Sequence, residues 1–205
     1  MINQNLILKE KTELRNHIWN LLYDKGLSYR KNGDFGKIPD FKGKLEAAKN
    51  LQNTPEWRRA KTIFSSPDSA QTPVRRLALA DNKNLIMASP NLKDGYLFLE
   101  GKSIENKELA STKEGAYQYQ SDKEYDKIDL VIEGSVAVDK TGNRIGKGKG
   151  YGDREIEDLF NKRLIDLKTP LVTTIHQLQL VEYVPREEHD AKLNMIVTNK
   201  SIIEL

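Results

Sequence analysis

The chain has 205 residues, enough for one sizeable core and too few for two comfortable ones. Its 38% hydrophobic and 31% charged residues suit a globular protein, and a net charge of only +3 argues against a general nucleic-acid binder. Cysteine is absent, which excludes disulfides, thiolate metal sites and a Cys nucleophile.

Residues Met1 to Glu10 lack the basic start and apolar run of a secretory signal. No stretch approaches the ~18 apolar residues of a membrane span, so a cytoplasmic protein with no membrane contact is expected. Leu6 to Lys25 reads as an amphipathic helix, with Leu14, Ile18, Leu21 and Leu22 at helical spacing and Gly26 as its stop. Ser28 to Phe41 reads as a loop. Leu45 to Leu51 and Pro55 to Lys61 read as short helices, the second capped by Thr54. Thr62 to Ser65 is a strand, and Thr72 to Asp81 a helix opened by a Thr72 cap and Pro73. Leu85 to Ala88 and Tyr96 to Leu99 are strands. Ser103 to Tyr125 carries no clear pattern. Ile128 to Val138 is the strongest β segment. Asp153 to Ile165 is a helix and Leu171 to Ile175 a strand. Met195 to Thr198 and Ser201 to Ile203 form a closing hairpin or edge pair.

Short apolar strands alternating with helices predict a single α/β domain. Its sheet should be mainly parallel and flanked by helices, in a Rossmann-like three-layer arrangement. The N-terminal helices are expected to pack on that sheet.

Residues 139–154 hold the most informative run. Gly146, Gly148 and Gly150 alternate with Lys147 and Lys149, after Arg144 and before a helix. Glycine lets backbone approach a ligand closely, and successive N–H groups can then face one anion. Arg144, Lys147 and Lys149 add cationic charge, and the helix presents its positive end. The run reads as a polyphosphate cradle. It is not a Walker motif, because no Gly-Lys-Ser/Thr ends it. Asp153 has two readings, an N-cap or a carboxylate holding Mg²⁺ against phosphates. His176 stands just after the strand Leu171 to Ile175, where ligands gather in parallel sheets, and is a candidate substrate contact. His17 and His189 read as structural or surface residues. Arg58, Arg59, Arg75 and Arg76 read as solvated helix faces.

The run Asp139-Lys-x-Gly-Asn-Arg-Ile-Gly-Lys-Gly-Lys-Gly-Tyr-x-Asp153 resembles the 5-formyltetrahydrofolate cyclo-ligase family. Other pieces agree in order. They are Lys11-x-x-x-Arg15, Asp129-Leu130-Val131 with Gly134 and Val138, then Gln179, Pro185, His189-Asp190 and Ile196-Val197-Thr198. The resemblance implies an ATP- and Mg²⁺-dependent enzyme in which ATP phosphorylates the formyl oxygen of 5-formyltetrahydrofolate. A neighbouring nitrogen then closes the ring and phosphate leaves. It implies ATP contacts from Lys11, Arg15 and the loop Arg144, Ile145, Gly146, Lys147, Gly148, Lys149, Gly150, Tyr151 and Gly152. It implies catalysis by Arg144 and Lys149, a pterin or nucleotide contact from Tyr151, and metal ligation by Asp153 and Asp190.

Three features depart from the family pattern. Ser69 stands where the family has a folate-contacting Glu. Tyr151-Gly152 replaces a pair of aromatics. Residues 28–61 are an added segment. These resemble a divergent branch that in animals also occurs joined to an RNA-binding module. Two alternatives follow. One is an ATP-using enzyme of the same fold with another small substrate. The other is a non-catalytic nucleotide- or RNA-binding module.

Overall fold

The computed structural model describes residues 2–125, 127–188 and 190–205. Helix α1 (Ile2–Asp24) stops at Gly26, whose φ of 63° suits glycine. The Leu27 N–H donates to the Leu22 carbonyl at 2.8 Å and Gly26 to Tyr23 at 2.9 Å, a Schellman closure. Residues 28–43 follow as a loop. Helices α2 (Lys44–Gln52) and α3 (Pro55–Arg59) come next, and the Thr54 hydroxyl accepts from Trp57 N–H at 3.2 Å as expected of its cap.

Strand β1 (Thr62–Ser65) leads to α4 (Thr72–Ala80), β2 (Asn84–Ala88) and β3 (Tyr96–Leu99). The patternless stretch contains two short helices, α5 (Lys107–Ala110) and α6 (Lys113–Tyr119), capped by Asn106 and Thr112. The strongest β segment splits into two strands. β4 (Leu130–Glu133) joins the large sheet, and β5 (Ala137–Asp139) pairs with β6 (Arg144–Ile145) in a small one. Helix α7 (Tyr151–Asn161), β7 (Leu171–Ile175), β8 (Leu180–Val181), β9 (Met195–Thr198) and β10 (Ile202–Glu204) complete the chain.

The large sheet has the order β10-β9-β7-β4-β1-β2-β3. The five inner strands are parallel; β10 and β3 are antiparallel edges. Alternation along the strands builds two buried layers. Ile63, Leu130, Ile132 and Val172 face α2 and α4, whereas Phe64, Val131 and Ile175 share a cluster with Leu159 of α7. The mainly parallel α/β reading therefore holds. The packing of α1 differs from expectation. Ile18, Trp19 and Leu22 bury against Val136, Ala137 and Ile145 of the small-sheet region rather than on the large sheet.

The chain runs from β1 outward to β2 on one side, and from β4 outward to β7 on the other. The strand order therefore reverses between β1 and β4, which opens a crevice at their carboxyl ends. Two local expectations for α4 fail. Thr72 lies inside the helix and caps nothing. Arg75, expected on a solvated face, is 1% exposed. Its guanidinium donates to the Ser66 carbonyl at 2.7 Å, Asp68 at 3.1 Å, Ser111 at 2.8 Å and the Thr72 hydroxyl at 3.0 Å. Burial pulls its pKa down to about 10. Arg75 thereby fixes the loop after β1 that borders the crevice. Arg75→Leu strands these acceptors, two of them buried, so chemical denaturation should show a loss of about 3 kcal/mol. A loss below about 1 kcal/mol would contradict this role.

Candidate active site

At the crevice lies a cavity of about 330 Å³. Among the described residues, six cationic side chains line it: Lys11, Arg15, Lys113, Arg144, Lys147 and Lys149. Six carboxyls face them: Asp68, Glu133, Asp153, Glu155, Glu187 and Asp190. Each element delivers its share by simple periodicity. Lys11 and Arg15 lie one turn apart on α1. Arg144 is carried by β6, and residues 146–150 form the loop from β6 into α7.

The backbone of that loop needs its glycines. Gly148 has φ 95° and Gly150 φ 66°, and Gly150 is the left-handed N-cap of α7. Asp153 is therefore the third residue of α7, not its cap. Its Oδ1 instead accepts from Arg144 Nη2 at 3.0 Å. The Ala191 N–H lies 3.5 Å from the same oxygen, which brings Asp190 and Asp153 to one side of the cavity. Lys11 is buried, and its ammonium lies 2.5 Å from Asp190 and 2.9 Å from Glu187. Lys147 pairs with Asp68 at 3.0 Å. Arg15 donates to the Gly146 carbonyl at 2.8 Å, and burial lowers its pKa. Arg144 Nη1 reaches the Gly134 carbonyl at 3.3 Å, while its buried Nε has no hydrogen-bond partner. Lys149 is exposed and makes no ion pair among the described residues. The Tyr151 ring lies under Arg154 at 4.7 Å.

The structure brings together Lys11, Arg15, Asp153, Asp190 and every loop residue from Arg144 to Gly152. It does not bring Ser69 or His176 to the cavity wall. The Ser69 hydroxyl accepts from Arg30 Nη2 at 3.0 Å. His176 is 8% exposed and caps a short 3-10 turn, its Nδ1 accepting from Leu178 N–H at 3.1 Å. Burial, with Lys200 nearby, lowers its pKa. His17 is exposed, and His189 lies outside the described residues.

Sequence reasoning missed Asp68, Lys113, Glu133, Glu155 and Glu187. Glu133 ends an otherwise apolar strand, and Glu155 shares a helix face with Leu159; both are signals in principle. Glu133 is 2% exposed, and burial, reinforced by Glu155 and partly opposed by Arg144, raises its pKa well above the carboxylate range. Burial likewise raises Glu155 to about 7, with Asp68 adding to the effect and a hydrogen bond to Glu133, Lys147 and Arg144 opposing it.

The sequence model of the 5-formyltetrahydrofolate cyclo-ligase family matches residues 7–199. The chain belongs to this family. It is 31% identical over 204 residues to the methenyltetrahydrofolate synthase domain-containing proteins of Bos taurus and Homo sapiens. Those matches cover 94% of this chain and 53% of each relative, so the chain spans about half the length of these curated relatives. A 78-residue stretch is 36% identical to the 5-formyltetrahydrofolate cyclo-ligase of Escherichia coli, covering 38% of this chain and 40% of that one. The solved Aquifex aeolicus 5,10-methenyltetrahydrofolate synthetase shares the fold, with a TM-score of 0.61 at 21% identity over 95% of this chain and 92% of that one. Among the described residues, no helix is long and apolar enough to cross a membrane.

Gly152 is tightly surrounded. A Cβ there would stand 2.6 Å from Arg144 Nη2 and 3.1 Å from Glu133 Oε2. Gly152→Ala should therefore lower stability by about 1–3 kcal/mol, where an exposed helical Gly→Ala would gain about 1 kcal/mol. A gain in the denaturation midpoint would contradict the crowding.

The raised Glu155 pKa fixes a second outcome. The folded chain keeps a proton that the unfolded chain releases near the ordinary value of 4.5. The resulting stability is present below that value and is lost as pH rises through about 7. Asp68, Lys147 and Arg144 also face this group. Thermal midpoints of wild type and Glu155→Gln should diverge with rising pH, wild type falling relative to the variant. Parallel profiles would contradict the shift.

Proposed function

We propose that this chain is an ATP- and Mg²⁺-dependent cyclo-ligase acting on 5-formyltetrahydrofolate or a related reduced pterin. The observation that carries the reading is the convergence of cationic side chains, glycine-bearing backbone and two neighbouring aspartates on one cavity at the sheet's switch point. Cyclisation needs the formyl oxygen turned from a poor leaving group, oxide, into phosphate before the ring nitrogen closes. The protein's share is to align the phosphoryl group with that oxygen and to balance charge as it moves.

Lys11 and Arg15 would grip the phosphates from α1, and residues 146–150 would offer their N–H groups. Arg144 and Lys149 are assigned to the transferring group, the first because it is buried and oriented, the second because its ammonium has no ion pair among the described residues. The donor set fits Mg²⁺. Asp153 and Asp190 are hard oxygen ligands on one side of the cavity, and this ion commonly takes one or two carboxylates plus phosphate oxygens and water. Bound there, the ion would supply neutralisation of phosphate charge. In the structure these carboxylates pair with Lys11 and Arg144. Polyphosphate would offer the two cations new acceptors and release both aspartates.

Residues 28–61 are read as a wall peculiar to this branch, since Arg30 holds Ser69 and Ile38 reaches the cavity. This arrangement favours a second reading, an ATP-using ligase of the same fold with another small substrate.

The test is absorbance of methenyltetrahydrofolate formed from 5-formyltetrahydrofolate and Mg²⁺, with and without ATP. ATP-dependent product is expected. Lys149→Ala and Asp153→Asn should each reduce turnover by at least about 10²-fold, with circular dichroism unchanged. Binding and hydrolysis of ATP without folate product would select the second reading.

A further inference from the structure

We propose that Arg154 is a positioning residue: it clasps two carbonyls on the outer side of the β6–α7 loop and so turns the Gly150 and Tyr151 N–H groups into the cavity, as donors to a phosphate. The inference rests on the ATP reading above.

Arg154 is the fourth residue of α7 and is exposed. An exposed arginine on a helix ordinarily pairs with a carboxylate three or four residues further on. Glu157 and Asp158 stand at those positions. Arg154 pairs with neither among the described residues, and Asp158 is taken by Lys162 at 2.7 Å. The side chain runs backward instead. Its Nη2 donates to the Lys149 carbonyl at 2.6 Å and its Nε to the Gly150 carbonyl at 3.1 Å. The guanidinium also covers the Tyr151 ring. Both bonds leave one rigid planar group, so two successive peptide units are fixed together.

The direction of the N–H groups follows from peptide geometry. In a trans peptide the N–H points opposite to the carbonyl it is joined to. The Lys149 carbonyl faces Arg154, so the Gly150 N–H points away from it. The Gly150 carbonyl faces Arg154 too, so the Tyr151 N–H does the same. Arg154 lies outside the cavity lining, on the outer face of α7 with Ile156, Glu157 and Phe160, whereas Gly150 and Tyr151 line the cavity. The two N–H groups therefore face the cavity.

Neither N–H donates to a protein acceptor among the described residues. Successive N–H groups around a left-handed residue make an anion-binding concavity, and Gly150 is that residue. Lacking the clasp, this glycine-bearing backbone would have to be ordered by the ligand, at a cost in affinity.

The experiment is calorimetric titration with Mg²⁺ and a non-hydrolysable ATP analogue, and separately with inorganic tripolyphosphate, which has no base. Wild type should bind both. Arg154→Ala should weaken both by about tenfold. Arg154→Lys keeps the charge but not the fork, and should remain at least about threefold weaker than wild type. Both variants should melt within about 2 °C of wild type, because the side chain is exposed. In turnover, Arg154→Ala should raise the KM for ATP by the same factor and leave kcat within about threefold, since the contact serves ground and transition states alike. Unchanged affinity in Arg154→Ala overturns the proposal. So does full recovery in Arg154→Lys, which makes charge alone the cause. A loss for the ATP analogue without one for tripolyphosphate places the effect at the base and overturns it too, as does a loss accompanied by a larger fall in the melting midpoint. Wild type that binds neither ligand overturns the ATP reading and the clasp with it, whereas wild-type binding with an indifferent variant removes the clasp alone.

Discussion

Concentrated charge can be held half-buried only if each group has an opposite neighbour, and around this cavity the neighbours come from distant parts of the chain. Lys11 in α1 meets Glu187 and Asp190, which lie near the other end of the chain. Arg144 in β6 meets Asp153 in α7, and Lys147 meets Asp68 in the loop after β1. These pairs join α1, the small sheet, the loop 146–150 and the switch-point crevice into one unit. α1 packs against β5 and β6 through Ile18, Trp19 and Leu22, and the pairs tie its first half to the same region. Buried pairs of this kind add little net stability, since desolvation offsets attraction. Their effect here is to hold Lys11, Arg144 and Lys147 in place around the cavity.

Gly152 and Ser69 are each held by specific neighbours. The space a side chain at Gly152 would need is occupied by Arg144 and Glu133. Ser69 is engaged by Arg30, which is itself paired with the buried Asp34 in the added segment. The loop and the altered wall therefore form linked sets of residues, and a change at one position in either set constrains the others.

Much of the fold is legible in the sequence. The apolar β-branched runs at Thr62, Leu171 and Met195 appear as strands β1, β7 and β9, and Gly26 closes α1. The glycine and lysine spacing of residues 146–150 marks a loop that lines the cavity, because backbone freedom and charge are local properties. What stays hidden depends on tertiary contact. β6 is two residues long and exists through pairing with β5. The helices within 103–125 are four and seven residues long and too weakly patterned to stand out. Arg75 reads as a surface cation until its four acceptors appear. Asp68, Glu133 and Glu155 lie on three different segments, and only the fold brings them together. His176 stands out in the sequence for its place at a strand end, yet it serves to cap the following turn.

The claim that most needs testing is that the ion pairs around the cavity are placeholders for nucleotide. The direct measurement is a crystal structure of the full chain with Mg²⁺ and a non-hydrolysable ATP analogue. Lys11 and Arg144 should turn from Asp190 and Asp153 to phosphate oxygens, and both aspartates should approach the metal. Phosphates bound elsewhere, or bound in the cavity with both ion pairs intact, would contradict it.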